Sequence, residues 1–162
     1  MKKILLILVS VILVSCNSYN KLLTTNNIDY KYEAAKAFYL EGEYSKAVPL
    51  LESMITILKG SDKAEESLIL LARCYYESKD YETASQYFKV YYTNYPRGEF
   101  AEYARFYSGK SLFKDITEPE LDQSGTYLAI SELQLFMEYF PLSKLRPEAQ
   151  DMIVKMHDLL VE

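Results

Sequence analysis

Apolar residues follow two distinct patterns along this chain. Between Ile4 and Val14 they form a nearly unbroken run, interrupted only by Ser10 and preceded by Lys2 and Lys3. From about residue 29 onward they recur three or four residues apart, the spacing of amphipathic helices that bury one face. Breaks in the pattern mark the helix ends. Gly60 follows one helix, and Asp62-x-x-Glu65 reads as a capping box opening the next. Pro96-Arg97-Gly98 and Pro141-Leu142-Ser143 interrupt later helices, and Pro147 falls in the first turn of the last one, where its missing N–H costs nothing. Asn17 to Asn27 is rich in Asn, Ser and Thr without clear period, so residues 16–28 are expected to form a flexible tether.

The helical part repeats. Leu68, Leu71, Ala72 and Tyr75 fall on one helix, Ala84 and Phe88 on the next, and Pro96 follows. A shift of 37 residues back finds Ala34, Ala35, Phe38, Ala47 and Leu51 at matching offsets, with Gly42-Glu43-Tyr44 where the later copy has Lys79-Asp80-Tyr81. The forward shift finds Ser108, Gly109 and Leu112; after eight extra residues the pattern resumes at Ala129, Leu133, Phe136 and Pro141. The pairs Ala35/Ala47, Ala72/Ala84 and Gly109/Ala129 put a small residue where two helices cross, and only a small side chain lets the backbones come close.

These offsets resemble tetratricopeptide repeats. The fold class implied is all-α, a tetratricopeptide-type α-solenoid of about three and a half antiparallel helical hairpins, each burying its apolar face on its neighbour. Hairpins are expected over 29–60, 61–98 and 99–143, the third with a polar inserted loop at 114–126. Residues 144–162 are then the first helix of a fourth hairpin or a capping helix, with Ala149, Met152, Ile153, Met156, Leu159 and Leu160 on one face. An ending at Leu159-Leu160-Val161-Glu162, without polar caps, is expected of the front part of a longer protein.

The apolar start changes the picture of where the domain lives. A run of about eleven residues is too short to span a bilayer, which needs about twenty, and suits a signal-peptide core. It stops at Leu13-Val14-Ser15-Cys16, which resembles the lipobox of bacterial lipoproteins. That resemblance implies removal of residues 1–15 and acylation of Cys16; an ordinary secretory signal is the alternative. Several acyl chains would give stable attachment where one binds marginally. A dozen extended residues reach roughly 40 Å, so the tether would let the domain stand clear of the membrane. Of the 162 residues, 147 remain, with 16 basic and 23 acidic side chains and a net charge of −7. This balance argues against nucleic acid as a partner. With Cys16 acylated, Cys74 is the only remaining thiol, so the fold rests on packing without an intramolecular disulfide. Sixteen tyrosines and seven phenylalanines, with no tryptophan, mark that packing as aromatic.

Together the lipobox, KYEAAKAFYLEGEYSKAVPLLE, LARCYYESKDYETASQYFKVYYTNYP and above all LDQSGTYLAISELQLFMEYFPLSKLRPEA resemble the BamD family. Its members are lipoprotein subunits of the machine that folds β-barrel proteins into bacterial outer membranes. The likeness covers essentially all of the mature chain and is closest to the Bacteroidetes forms. It implies a non-catalytic scaffold on the outer membrane, facing the periplasm. The implied partners are a BamA-like barrel protein, other assembly subunits and unfolded outer-membrane protein substrates. Family members carry about five hairpins, and the late ones, to which the resemblance assigns docking on BamA, fall beyond residue 162. Asn17 follows Cys16 where an Asp would mark inner-membrane retention. The alternatives are another lipid-anchored tetratricopeptide adapter, serving cell-wall or glycan-uptake complexes, and a scaffold joined to a catalytic domain further on.

In tetratricopeptide arrays the first helices line a concave groove. Counted from the small residue of each hairpin, the groove positions are Tyr32, Lys36, Tyr39; Ile69, Arg73, Tyr76; and Phe106, Lys110, Phe113. An apolar–basic–apolar triplet recurs at i, i+4 and i+7, on one face of each helix. This stripe is expected to bind an extended peptide ending in an aromatic residue and a free carboxylate. Its alternative is aromatic packing between hairpins with solvated cations. Enzyme chemistry finds no support: His157 is the lone histidine, Cys74 lies mid-helix among apolar residues, and neither a phosphate-binding glycine loop nor metal-ligand spacing occurs. No cofactor is expected. Glu41-Gly42-Glu43 and Glu65-Glu66 are expected to be caps and solvated faces.

Overall fold

A computed structural model describes residues 19–57, 62–116 and 123–161. The signal region, Cys16, Gly60 and the centre of the insert, with Glu118, Pro119, Glu120 and Asp122, lie outside them. After a helical segment at 19–24 come α1 (Ile28–Leu40), α2 (Tyr44–Ile55), α3 (Asp62–Glu77), α4 (Tyr81–Asn94), α5 (Ala101–Asp115), α6 (Ser124–Tyr139) and α7 (Arg146–Val161). Each helix packs chiefly on its neighbours in the chain, while α1 also meets α3 and α5 meets α7. The result is an all-α helical repeat of tetratricopeptide type.

The expected crossing residues are buried: Ala35, Ala47, Ala72, Ala84 and Ala129 are fully enclosed. Gly109 shows why. A Cβ there would lie 2.7 Å from Cγ and Cδ2 of Leu133 and 3.2 Å from its backbone N, so α5 and α6 approach to a distance only glycine allows. Hairpin turns repeat as well. Gly42 has φ 75° and Lys79, 37 residues on, has φ 65°. In both turns the next residue bonds back to the last turn of the helix: Glu43 N–H donates to the Phe38 carbonyl at 2.8 Å and Asp80 N–H to that of Tyr75 at 3.0 Å. This is a Schellman-type ending that needs a left-handed residue.

Three apolar clusters run along the stack. The first joins Leu22, α1, α2 and α3; the second joins α3, α4 and Ala104 of α5; the third joins Phe106 of α5 with α6 and α7. Each hairpin therefore completes its core on the next.

Two expectations need correction. Residues 19–27 are not a free tether. Residues 19–24 are helical, Leu22 is buried in the first cluster, and the Tyr19 ring meets that of Phe38 edge-on at 5.8 Å. Leu22 and Leu23 supply too few apolar positions to reveal a period, yet enough to dock one turn. The insert is shorter than 114–126, because α5 runs to Asp115 and α6 begins at Ser124, with the Thr126 side chain fully buried. The Glu65 carboxylate accepts a hydrogen bond from Tyr91 across hairpin 2, while the side chain of Asp62, its expected capping-box partner, lies outside the described residues.

Candidate functional site

The first helices α1, α3, α5 and α7 present one continuous face, and the nine expected groove residues divide on it by position. The leading member of each triplet turns inward. Tyr32, Ile69 and Phe106 are buried. The Tyr32 hydroxyl donates to Glu66 of α3 at 2.7 Å, and the Phe106 ring meets Phe136 of α6 at 5.3 Å. These three are core residues with no surface to offer a ligand, because a helix in a stack buries more than one stripe. The trailing members Tyr39, Tyr76 and Phe113 are half-buried. Tyr76 packs against Tyr81, Phe88 and Tyr107. Glu65 is half-buried and accepts from Tyr91, whereas Glu66 stays exposed, as expected, while accepting from Tyr32.

The cations stay on the face, each over an aromatic ring, but their surroundings differ. Lys36 lies over Tyr32 and pairs with Glu33 at 3.6 Å. Lys110 lies over Phe106 and Tyr107 and pairs with Glu148 of α7 at 2.7 Å. Arg73 is held between Tyr39 of α1, at 5.2 Å, and Tyr103 of α5, at 5.7 Å. Among the described residues it makes no ion pair, and its buried Nε has no hydrogen-bond partner. Glu77 lies one turn on, and its charge is felt at Tyr39 and Cys74 without pairing with Arg73.

A guanidinium between two phenol rings is partly desolvated and fixed in plane, with its fork of donors ready for a carboxylate. Burial raises the pKa of both Tyr39 and Tyr103, so both rings stay neutral at physiological pH and offer Arg73 no anion. Arg73 sits where three hairpins meet, between α1 and α5.

A family model described as outer membrane lipoprotein, YfiO, matches residues 25–162. The chain belongs to the YfiO family. The family likeness carried by the lipobox and the three quoted segments is therefore correct, and YfiO membership brings outer-membrane association with it. A curated relative, the outer membrane protein assembly factor BamD of Pasteurella multocida (strain Pm70), is 24% identical over 136 residues, covering 77% of this chain and 51% of that protein. This YfiO chain thus spans about half the length of the curated relative it matches.

Two features of the YfiO chain escaped the repeat template. Tyr103, which completes the clamp on Arg73, lies one turn before the counted positions. Its signal was present: Tyr103, Tyr107 and Lys110 are spaced to share one face of α5. On the other side of the stack, Glu132 is buried to 6% exposure, accepting from the Tyr92 hydroxyl at 2.8 Å and from Lys89 at 3.4 Å. It borders a cleft of about 330 Å3 that includes Ser85, Ser108 and Leu128. Nearby, Arg105 is sandwiched between the rings of Tyr92 and Tyr139, at 4.2 and 4.1 Å. Cys74 is fully enclosed, and burial pushes its thiol up to about 12, so it remains protonated at neutral pH. His157 is exposed on α7.

Proposed function

We propose that this chain is a non-catalytic scaffold of the outer-membrane β-barrel assembly machinery, attached through acylated Cys16 and facing the periplasm. Its first-helix face takes extended segments of unfolded barrel proteins. Its other contacts are with a BamA-like barrel protein and further assembly subunits.

The observation that carries this reading is Arg73, an unpaired guanidinium clamped between Tyr39 and Tyr103 at the middle of the face. A peptide ending in an aromatic residue and a free carboxylate matches it. The carboxylate takes the fork of donors, and the aromatic ring joins Tyr39, Tyr103 and half-buried Tyr76. Lys36 and Lys110 flank the site and, already paired, supply long-range attraction more than direct bonds. Family membership and the lipobox support the outer-membrane setting. The binding role does not extend to Tyr32, Ile69 and Phe106, which belong to the core.

The test is affinity purification of the full chain from detergent-solubilised membranes. Recovery of a barrel protein with periplasmic repeat domains is expected. A clean preparation that yields none, with the bait folded, overturns the assembly role.

A further inference from the structure

The segment ahead of α1 is bolted to the first hairpin in a defined direction. At its start, the Tyr19 hydroxyl donates to the Lys46 carbonyl of α2 at 3.0 Å, and its ring packs on Phe38 near the end of α1. Near its end, the Leu23 carbonyl accepts from the Lys31 ammonium at 3.1 Å, and the same ammonium donates to Ser53 of α2 at 3.2 Å. Lys31 is only 6% exposed. A buried cation without a carboxylate is costly; here it meets the free carbonyls that end a helical segment, where positive charge is favoured. From Leu23 to Tyr19 the segment therefore runs from the open end of the hairpin towards its turn, Glu41-Gly42-Glu43. Tyr19, the first described residue, thus lies at the turn end.

Only three peptide links separate Tyr19 from Cys16. Consecutive Cα atoms are 3.8 Å apart, so three links can reach no further than about 11 Å. We propose that the turn end of the first hairpin, led by Leu40, rests on the lipid headgroup surface. This rests on the reading of Cys16 as the acylated residue, which fixes that atom at the membrane interface. Leu40 is the last residue of α1, and its apolar side chain is 81% exposed. Around it stand Glu41, Glu43 and Lys46, the last two paired with each other. That mixture fits a zwitterionic headgroup layer and gains nothing from an anionic one. The hairpin is thus held close to the membrane in one orientation, where a tether of a dozen residues would have let it tumble.

The experiment uses the full lipidated chain, with Cys74→Ala as background, in vesicles of phosphatidylethanolamine and phosphatidylcholine carrying a headgroup nitroxide. A fluorophore is placed at Leu40→Cys or at Leu142→Cys, the latter 96% exposed beyond α6 at the opposite end of the hairpins. Quenching at residue 40 is expected to exceed that at residue 142 several-fold. Leu22→Asp, which undocks the segment, is expected to bring the two to the same level while the protein still floats with the vesicles. Equal quenching in the parent protein overturns the proposal, as does strong quenching at residue 40 that survives Leu22→Asp. A chain that fails to float at all overturns the lipid-anchor reading, and this proposal falls with it.

Discussion

Gly109→Ala isolates the device on which the repeat depends. Alanine normally strengthens a helix interior over glycine by about 1 kcal/mol. At position 109 the new methyl would fall 2.7 Å from Cγ and Cδ2 of Leu133 and 3.2 Å from its backbone N. Leu133 is fully buried in the third cluster, so its side chain or α6 must shift against packed neighbours. Overpacking of this kind costs about 1–3 kcal/mol. Set against the helix gain, the net loss is about 0–2 kcal/mol, or up to a few degrees in Tm for a domain of this size. Gly125→Ala is the internal control, since nothing lies within 4 Å of its Cβ position. Urea unfolding followed by circular dichroism, with both variants side by side, gives the answer. A gain in stability in Gly109→Ala equal to that in Gly125→Ala would refute the close-approach reasoning.

Three further outcomes follow from particular contacts. Lys79→Gly removes a side chain from a left-handed conformation that costs L residues about 1–2 kcal/mol, so the urea midpoint should rise, whereas the same change at exposed Lys155 should lower it. Tyr92→Phe deprives buried Glu132 of its closest donor and should cost about 1–3 kcal/mol; adding Glu132→Leu should recover much of it, as thermal melts of the single and double variants will show. Tyr32, Tyr75, Tyr76, Tyr91, Tyr92 and Tyr103 all have raised pKa values, chiefly through burial. A proton held more tightly in the folded state stabilises it fully below the unfolded value of 10.0. That stability is lost as pH rises through and beyond 10, so tyrosinate absorbance should appear together with loss of helix, and titration of these tyrosines in a still-folded protein would contradict it.

The repeat was legible because it rests on residues that one position decides: a small side chain at each helix crossing, a proline after a second helix, a turn at fixed offset. Lys79 shows how firmly the frame holds, since it takes the backbone conformation of Gly42 despite its side chain. The groove was legible only in part. Spacing put Tyr32, Lys36 and Tyr39 on one helix face, but that face is wide, and the neighbouring hairpin decides which edge of it is covered. Tyr32, Ile69 and Phe106 went to the core for that reason, and Tyr103 entered the site from the turn before. Glu65, Glu132 and Lys31 were hidden for another. Charged residues are ordinarily solvated, and only three-dimensional placement supplies the tyrosine hydroxyls and free carbonyls that let these leave water.

The most direct test of the central claim is titration of a labelled peptide ending in an aromatic residue, as free acid and as C-terminal amide, into the parent protein and Arg73→Gln. Bonds to charged groups contribute about 1.5–3 kcal/mol, and 1.4 kcal/mol is tenfold in affinity. The parent is therefore predicted to prefer the free acid by about ten- to a hundredfold, and Arg73→Gln to bind both forms equally weakly. Equal affinity of the parent for acid and amide, or an undiminished preference in a folded Arg73→Gln variant, would contradict the assignment of the Tyr39–Arg73–Tyr103 clamp as the peptide site.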